Sequence, residues 1–255
     1  MKVDVFFSPS QIDEMLLREK NVVVIDVLRS STTIVAALRN GAREIIPVGS
    51  VESAVKVSGN LFGDVVLRGG ERNGKIIPGF NLGNSPKEYT EEAVKGKSII
   101  FCTTNGTAAM AKARYAQKMV VAGFVNISLV VQYIKECRED FFIVCSGKQQ
   151  LFCIEDAICA GMIVKMLCDD ESLYVELNDS AVAAQALHKT FGRNLLKMAK
   201  NSEHGKYLME IGFEDDIKTC VKLDSIPALP LLVGNVLKLK KDEQKPLAPA
   251  ETKAS

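Results

Sequence analysis

The chain has 255 residues, 47% of them hydrophobic and 25% charged, with a net charge of +1. That length suits one large α/β domain or two small lobes, and the near-neutral charge removes the basic field that would hold nucleic acid. Aromatic residues make up 6% and Trp is absent, which leaves little material for base-stacking platforms.

The opening residues, MKVDVFFSPSQIDE, carry no apolar leader with a cleavage site. No apolar run approaches the roughly 20 residues of a membrane-spanning helix. A cytoplasmic protein without membrane association is expected. Seven Cys, at 102, 137, 145, 153, 159, 168 and 220, are odd in number and form no CxxC pair. Buried free thiols in a reducing compartment are the expectation.

Val3–Phe7 reads as a strand and Ile12–Glu19 as a helix. Val22–Asp26 is a β-branched run without alternation, the pattern of a strand buried on both faces. Ser30 or Ser31 can cap a following helix that Gly41 ends. Glu44–Val48 reads as a strand, Val51–Ser58 as a helix and Val65–Leu67 as a strand. From Arg68 to Tyr89 the chain runs RGGERNGKIIPGFNLGNSPKEY. That much Gly and Pro predicts a long loop with little regular structure, and Ile76, Ile77, Phe80 and Leu82 suit a loop packed onto the body. Asp179–Ala199 predicts a long helix capped by Asn178 or Asp179, and Ser202–Ile211 a shorter one closed by Gly212. Ile226–Val236, with Pro227 and Pro230, reads as a final edge strand. Residues 1–237 are expected to form one α/β domain, open to division into two lobes, and 238–255 a disordered tail.

Three times an apolar run ends in a polar loop and opens into a helical segment: VVVIDVLRSSTTIVAAL from Val22, SIIFCTTNGTAAMAKA from Ser98, and FFIVCSGKQQLFCIEDAICAGMIVKML from Phe141. This repetition predicts a three-layer α/β fold with a mostly parallel sheet and ligand loops at the carboxyl ends of the strands. Asp26 ends the first strand, as a metal ligand or nucleophile would. Arg29 stands three residues on, suited to an anion. Ser30, Ser31, Thr32 and Thr33 offer hydroxyls and free N–H groups at a helix start. Thr103, Thr104, Asn105, Gly106 and Thr107 repeat the arrangement. Glu155 and Asp156 open the third helix as adjacent carboxylates that point different ways. Glu71, Arg72, Asn73 and Lys75 sit in the Gly-rich segment, a set suited to metal and anion together. His204 is a general acid, a substrate contact or a surface residue, while His188 is expected to be structural.

Absent motifs narrow the chemistry. There is no GxxxxGK[ST] loop, and no Cys-x5-Arg spacing after Cys102 or Cys145. Leu28 occupies the position where an Asp-x-Asp phosphatase has its second Asp. Two His make a zinc cluster unexpected. A hard cation held by oxygen ligands and serving a small anionic substrate is what remains. The alternative is a non-catalytic binding protein for small sulfonates or phosphate esters, which the carboxylates oppose unless a metal intervenes.

VIDVLRSSTTIVAALRNGA, GGERNGKIIPGFNLGNSPKEYT, TTNGT, EDAICAG and SEHGKYLMEIGFEDDIKTC together resemble the 2-phosphosulfolactate phosphatases, across most of the chain up to about Lys238. The resemblance implies a Mg²⁺-dependent phosphatase that hydrolyses 2-phospho-3-sulfolactate to 3-sulfolactate and phosphate, a reaction of coenzyme M and sulfolactate metabolism. It implies Asp26, Glu71 and Asp156 as metal ligands, and Arg29, Arg72 and Asn105 as holders of the substrate's anionic groups. With the residue reading, the catalytic set becomes Asp26, Arg29, Asp156 and His204. The substrate-binding set becomes Ser31, Thr32, Arg72, Thr104, Asn105 and Gly106. The chain departs from the family pattern at Asn81, Cys102, Ala108 and Cys153. Ala108 removes a basic residue, which Lys75, Lys112 or Arg114 would have to replace. A homodimer is the base-rate expectation for an oligomer.

Overall fold

The computed structural model describes residues 1–59 and 65–240. The strands, in chain order, are β1 (Lys2–Phe6), β2 (Asn21–Ile25), β3 (Glu44–Pro47), β4 (Val66–Arg72), β5 (Lys75–Ile76), β6 (Ser98–Cys102), β7 (Lys118–Ala122), β8 (Phe141–Cys145), β9 (Glu176–Leu177), β10 (Pro230–Val233) and β11 (Val236–Leu239). The helices are α1 (Ser30–Arg39), α2 (Val51–Gly59), α3 (Glu91–Val94), α4 (Gly106–Lys112), α5 (Ile127–Cys137), α6 (Ile154–Cys168), α7 (Asp179–Phe191), α8 (Leu195–Asn201), α9 (Glu203–Glu210) and α10 (Glu214–Cys220). All the strands join one sheet in the order β5-β4-β6-β3-β11-β10-β7-β2-β8-β1-β9. Pairing is parallel except around the β10–β11 hairpin and between β4 and β5. The fold is the expected three-layer α/β arrangement.

β2 shows why its unbroken apolar run is needed. It pairs in parallel with β7 on one side and β8 on the other, and all five of its residues are buried. Val22 and Val24 join the core with Ile34 and Leu38 of α1 and Met110 of α4. Val23 and Ile25 face the opposite core, with Val130 of α5 and Ile158 of α6. A strand covered on both faces has no polar side to show, so alternation disappears. α6 is apolar around most of its circumference because it lies between the sheet and α7. At Gly161 a Cβ would lie 1.9 Å from the carbonyl oxygen of Ala184, so glycine sets that helix spacing.

The sheet curls around α1. Four strands stand between β6 and β2 in the strand order, yet Ser30 Oγ lies 3.2 Å from Thr103 Oγ1. Every residue of α1 from Ser30 to Leu38 is buried, and the helix touches β3, β7, β10 and β11. The β10–β11 hairpin closes the curve. It is bridged to β7 through Leu231 and Val120 and to β3 through Leu237 and Ile45.

Several expectations change. Ile226–Val236 is not an edge strand: its chain turns at Gly234 (φ +63°) and Asn235 and runs back as β11 inside the sheet. A Gly-Asn pair is a tight-hairpin signal, and Pro230 stands at a strand's first residue, where its missing N–H is tolerated. The tail boundary at Lys238 fails for the same reason. Lys238 lies in β11 and pairs with Glu44, and Lys240 pairs with Glu136; residues 241–255 of the expected tail lie outside the described residues. Ile12–Glu19 forms one short 3-10 turn, Glu14–Leu17, capped by Asp13, rather than a helix. Asp179–Ala199 breaks at Gly192, and Asn194 caps α8 as a new helix. The Gly-rich segment holds the β4–β5 hairpin, its turn carried by Asn73 (φ +50°) and Gly74 (φ +71°). The seven cysteines are free thiols. Five are buried, while Cys137 is half-buried and Cys168 exposed.

Gly161→Ala should destabilise the protein by about 1–3 kcal/mol, since the α6–α7 contact has no room for a methyl group. Urea unfolding of the variant checks this.

Candidate active site

The three polar junctions and the β4–β5 turn meet at the carboxyl ends of the strands. They surround a cavity of about 220 Å³ lined by Asp26, Arg29, Glu71, Asn73, Thr104, Asn105, Lys148 and His204 among others. Asp26 follows β2 directly and is 5% exposed. Its backbone N–H donates to Ser31 Oγ (2.9 Å), and its Oδ1 accepts the Ser30 N–H (3.3 Å). A Cβ at Gly106 would lie 2.7 Å from Asp26 Oδ2 and 2.6 Å from Ser30 Cβ, so only glycine lets α4 start there. Burial pushes the Asp26 carboxyl up to about 6, and Glu71 adds to that rise. His204 and the Ser30 hydrogen bonds oppose it. Among the described residues, no lysine or arginine pairs with this carboxylate.

Two carboxylates of the expected metal set have other work. Glu71 accepts from Gly74 N and Thr104 N, both at 2.8 Å, which ties the β4–β5 turn to the loop after β6. Asp156 accepts from Val27 N (2.8 Å) and Gly147 N (3.0 Å), which ties the loop after β2 to the loop after β8. Burial, with Asp26 and Glu155 nearby, pushes the Asp156 carboxyl well up, against the pull of those two N–H groups. Asp156 stays outside the cavity lining, so of the expected ligands the cavity receives Asp26 and Glu71.

Arg29 is 2% exposed, and its guanidinium is already occupied. Nη1 donates to Asp216 Oδ2 (2.8 Å), Nη2 donates to Gly74 O (2.7 Å), and the group stacks 4.1 Å from the Phe213 ring centroid. Asp216 also accepts from Ser85 Oγ at 2.7 Å. Arg29 therefore lines the cavity with its charge balanced from behind. His204 sits near the start of α9, and its Nδ1 lies 3.3 Å from Glu155 Oε1. Glu155 is 1% exposed; burial pushes its carboxyl up, but His204 and neighbouring donors hold it below its ordinary range.

Other expected residues land elsewhere. Arg72 donates to Glu71 O and to Cys102 Sγ and leaves the cavity. Ser31 holds the Asp26 backbone, and Thr32 is buried on α1 beside Cys220, and neither is in the cavity lining. Thr104 and Asn105 line the cavity, and Asn105 Oδ1 accepts the Gln149 N–H (2.9 Å). Ala108 is outside the lining. Lys112 donates to Ile12 O and Arg114 pairs with Glu14, so neither supplies the expected cation. Lys75 is exposed on β5 and also outside the lining. Besides Arg29, the cation that lines the cavity among the described residues is Lys148, paired with the exposed Glu203 (2.8 Å). Its position just after β8, in Ser146-Gly147-Lys148, was the available signal. Asp216, inside the acidic run Glu214-Asp215-Asp216, offered none.

Asp216→Asn should destabilise the fold by about 3–5 kcal/mol, because it leaves Arg29 buried without its counter-charge. Asp216→Asn combined with Arg29→Met should recover much of that loss in urea unfolding.

The family model described as 2-phosphosulpholactate phosphatase matches residues 6–235. A protein of Caldanaerobacter subterraneus subsp. tengcongensis named probable 2-phosphosulfolactate phosphatase is 41% identical over 236 residues, covering 91% of this chain and 96% of that one. One of the same name from Thermotoga maritima is 41% identical over 238 residues, covering 93% and 98%. A third, from Clostridium acetobutylicum, is 38% identical over 230 residues, covering 90% and 97%. With a match that covers every loop around the cavity, the chain belongs to the 2-phosphosulfolactate phosphatase family of phosphoric monoester hydrolases.

Proposed function

We propose that this chain hydrolyses the phosphate ester of a small 2-hydroxy acid bearing a further anionic group, with 2-phospho-3-sulfolactate as the substrate and Mg²⁺ as the cofactor. The observation that carries the reading is the cavity itself, where the buried Asp26 and Glu71 face the same space as Arg29, Lys148 and His204.

The donor set suits Mg²⁺. This ion keeps several waters and takes one or two carboxylates, and Asp26 and Glu71 provide two beside the cavity. Burial leaves Asp26 uncompensated, which is the electrostatic need a cation would meet. Bound there, the ion supplies charge neutralisation and polarisation of the phosphoryl oxygens.

The protein's own groups divide the remaining work. Asp26, fixed by the N–H of Ser30, is the group that faces the phosphorus, as nucleophile or as base for water. Lys148 holds a substrate anion, since its present partner Glu203 is exposed and such pairs are weak. Arg29 contributes a fixed positive edge that Asp216 keeps from moving. Thr104 and Asn105 orient the substrate by hydrogen bonds. With Nδ1 turned to Glu155, His204 has Nε2 left to protonate the leaving alkoxide, and Glu155 keeps the ring oriented.

Asp26→Asn should lower phosphate release from 2-phospho-3-sulfolactate by roughly 10²–10³-fold or more. The same variant should gain stability. Asp26 binds its proton at about 6 in the folded protein and at about 3.9 unfolded. Metal-free wild type therefore loses stability as pH rises through that window, and Asn does not. Above pH 6 or so the variant should be more stable by on the order of 2–3 kcal/mol, with the two converging near pH 4. Near-wild-type turnover in Asp26→Asn would refute the assignment. Ligand-induced stabilisation without phosphate release from wild type, with or without Mg²⁺, would favour the binding-protein reading instead.

Lys148→Ala should raise KM for the sulfonated substrate by roughly tenfold, the worth of one charge-assisted contact, with a smaller change in kcat. Steady-state kinetics on sulfonated and carboxylated phosphate esters, compared side by side, measure this.

A further inference from the structure

A second group of potential ligands lies beside the cavity and includes neither Asp26 nor Glu71. Cys153, Glu155 and His204 bring a sulfur, a carboxylate oxygen and a ring nitrogen within 4.8 Å of one another. The first two come from the start of α6, where Cys153 precedes the helix and Glu155 is its second residue. His204 is the second residue of α9. Glu155 Oε1 is buried, and its approach to His204 Nδ1 at 3.3 Å is an ion-pair contact that lacks the alignment of a hydrogen bond. A buried carboxylate oxygen left in that state carries a cost that a cation would remove. A cavity of about 180 Å³ reaches all three residues, and the exposed Leu151 and Phe152 stand at it, so an ion has a path in.

We propose that Cys153, Glu155 and His204 form a binding site for a thiophilic divalent cation, with Zn²⁺ as its type, distinct from the Mg²⁺ pair.

The donor chemistry separates the two sites. Zn²⁺ accepts Cys sulfur, His nitrogen and carboxylate oxygen together, and three protein ligands leave a fourth position for water. Thiolate is a poor ligand for Mg²⁺. In a tetrahedral zinc site the ligand atoms stand about 3.5 Å apart, so a group already within 4.8 Å closes by rotamer adjustment. One thiolate, one carboxylate, a neutral imidazole and a neutral water together balance a divalent charge. Burial and the flanking carboxylates hold the Cys153 thiol protonated in the metal-free protein, so binding releases that proton to solvent. Lys148 also borders this cavity, but a cation neutralised by its thiolate and carboxylate ligands leaves little net charge for it to repel. The sequence pointed away from zinc because it counts only two His. One His, one Cys and one Glu suffice when two helix starts converge. Coordination through Nδ1 would separate His204 from Glu155, so the occupied site opposes the proton transfer assigned to that ring.

Cobalt is the probe, because a thiolate bound to Co²⁺ gives a sulfur-to-metal charge-transfer band in the near ultraviolet. Chelator-stripped full-length protein, titrated with Co²⁺ alone, should develop that band at one equivalent, and Zn²⁺ should bleach it. Cys153→Ser should abolish the band and weaken Zn²⁺ by at least about tenfold. No band in wild type, or an undiminished band in Cys153→Ser, would overturn the proposal, the second by assigning the sulfur to another cysteine. If Cys153→Ser does not fold by circular dichroism, Glu155→Gln takes its place, and unchanged Zn²⁺ affinity in that variant overturns the site equally. Since binding is read without substrate, its outcome is independent of the phosphatase reading.

Discussion

Buried carboxylates that grip backbone N–H groups hold this site together. Asp156 takes the N–H of Val27 and of Gly147, and Glu71 takes those of Gly74 and Thr104. Each side chain thus joins two loops at strand ends. The loops carry Asp26, Lys148, Thr104 and Asn105, so the spacing of the functional groups depends on the two clamps. Backbone donors to a carboxylate are among the stronger hydrogen bonds available, and they tolerate burial where a lone charge would not.

The distribution of charge follows from that use. Arg29 is neutralised by Asp216, and Lys148 is at the accessible side with a weak partner. Asp26, Glu71, Glu155 and Asp156 are all buried near one another. Acids outnumber free cations there, and burial, with Glu71 beside it, pushes the Asp26 carboxyl up to about 6. Buried acids arranged in this way are characteristic of sites that bind a cation or move a proton. Hard oxygen donors at Asp26 and Glu71 suit one ion, and a mixed sulfur, nitrogen and oxygen set beside His204 suits another.

The curl of the sheet brings the parts within reach of each other. Asp26 follows β2 and Thr103 follows β6, strands that the β10–β11 hairpin, β3 and β7 separate. In a flat sheet they would stand far apart. Wrapping the sheet around α1 brings Ser30 to Thr103 and makes Gly106 necessary, because the start of α4 then presses on Asp26.

The sequence by itself determined most of the parallel strands, the class of fold and the polar junctions, because β-branched runs and helix caps are local patterns. Val22–Ile25 could only be a strand covered on both faces, and Asp26 could only stand at its carboxyl end. Family membership was also legible, since the Gly-rich segment and the junctions are distinctive strings. Tertiary structure decided which polar groups remain available to a ligand. Asp156, Arg72, Ser31 and Thr32 are chemically suited to a site, yet their hydrogen bonds or burial commit them to the scaffold. Lys148, Asp216 and the Cys153–Glu155–His204 cluster emerge only when segments far apart in the chain meet. Local sequence specifies a side chain's chemistry, but its partners depend on long-range packing, and the partners decide whether that chemistry is free to act.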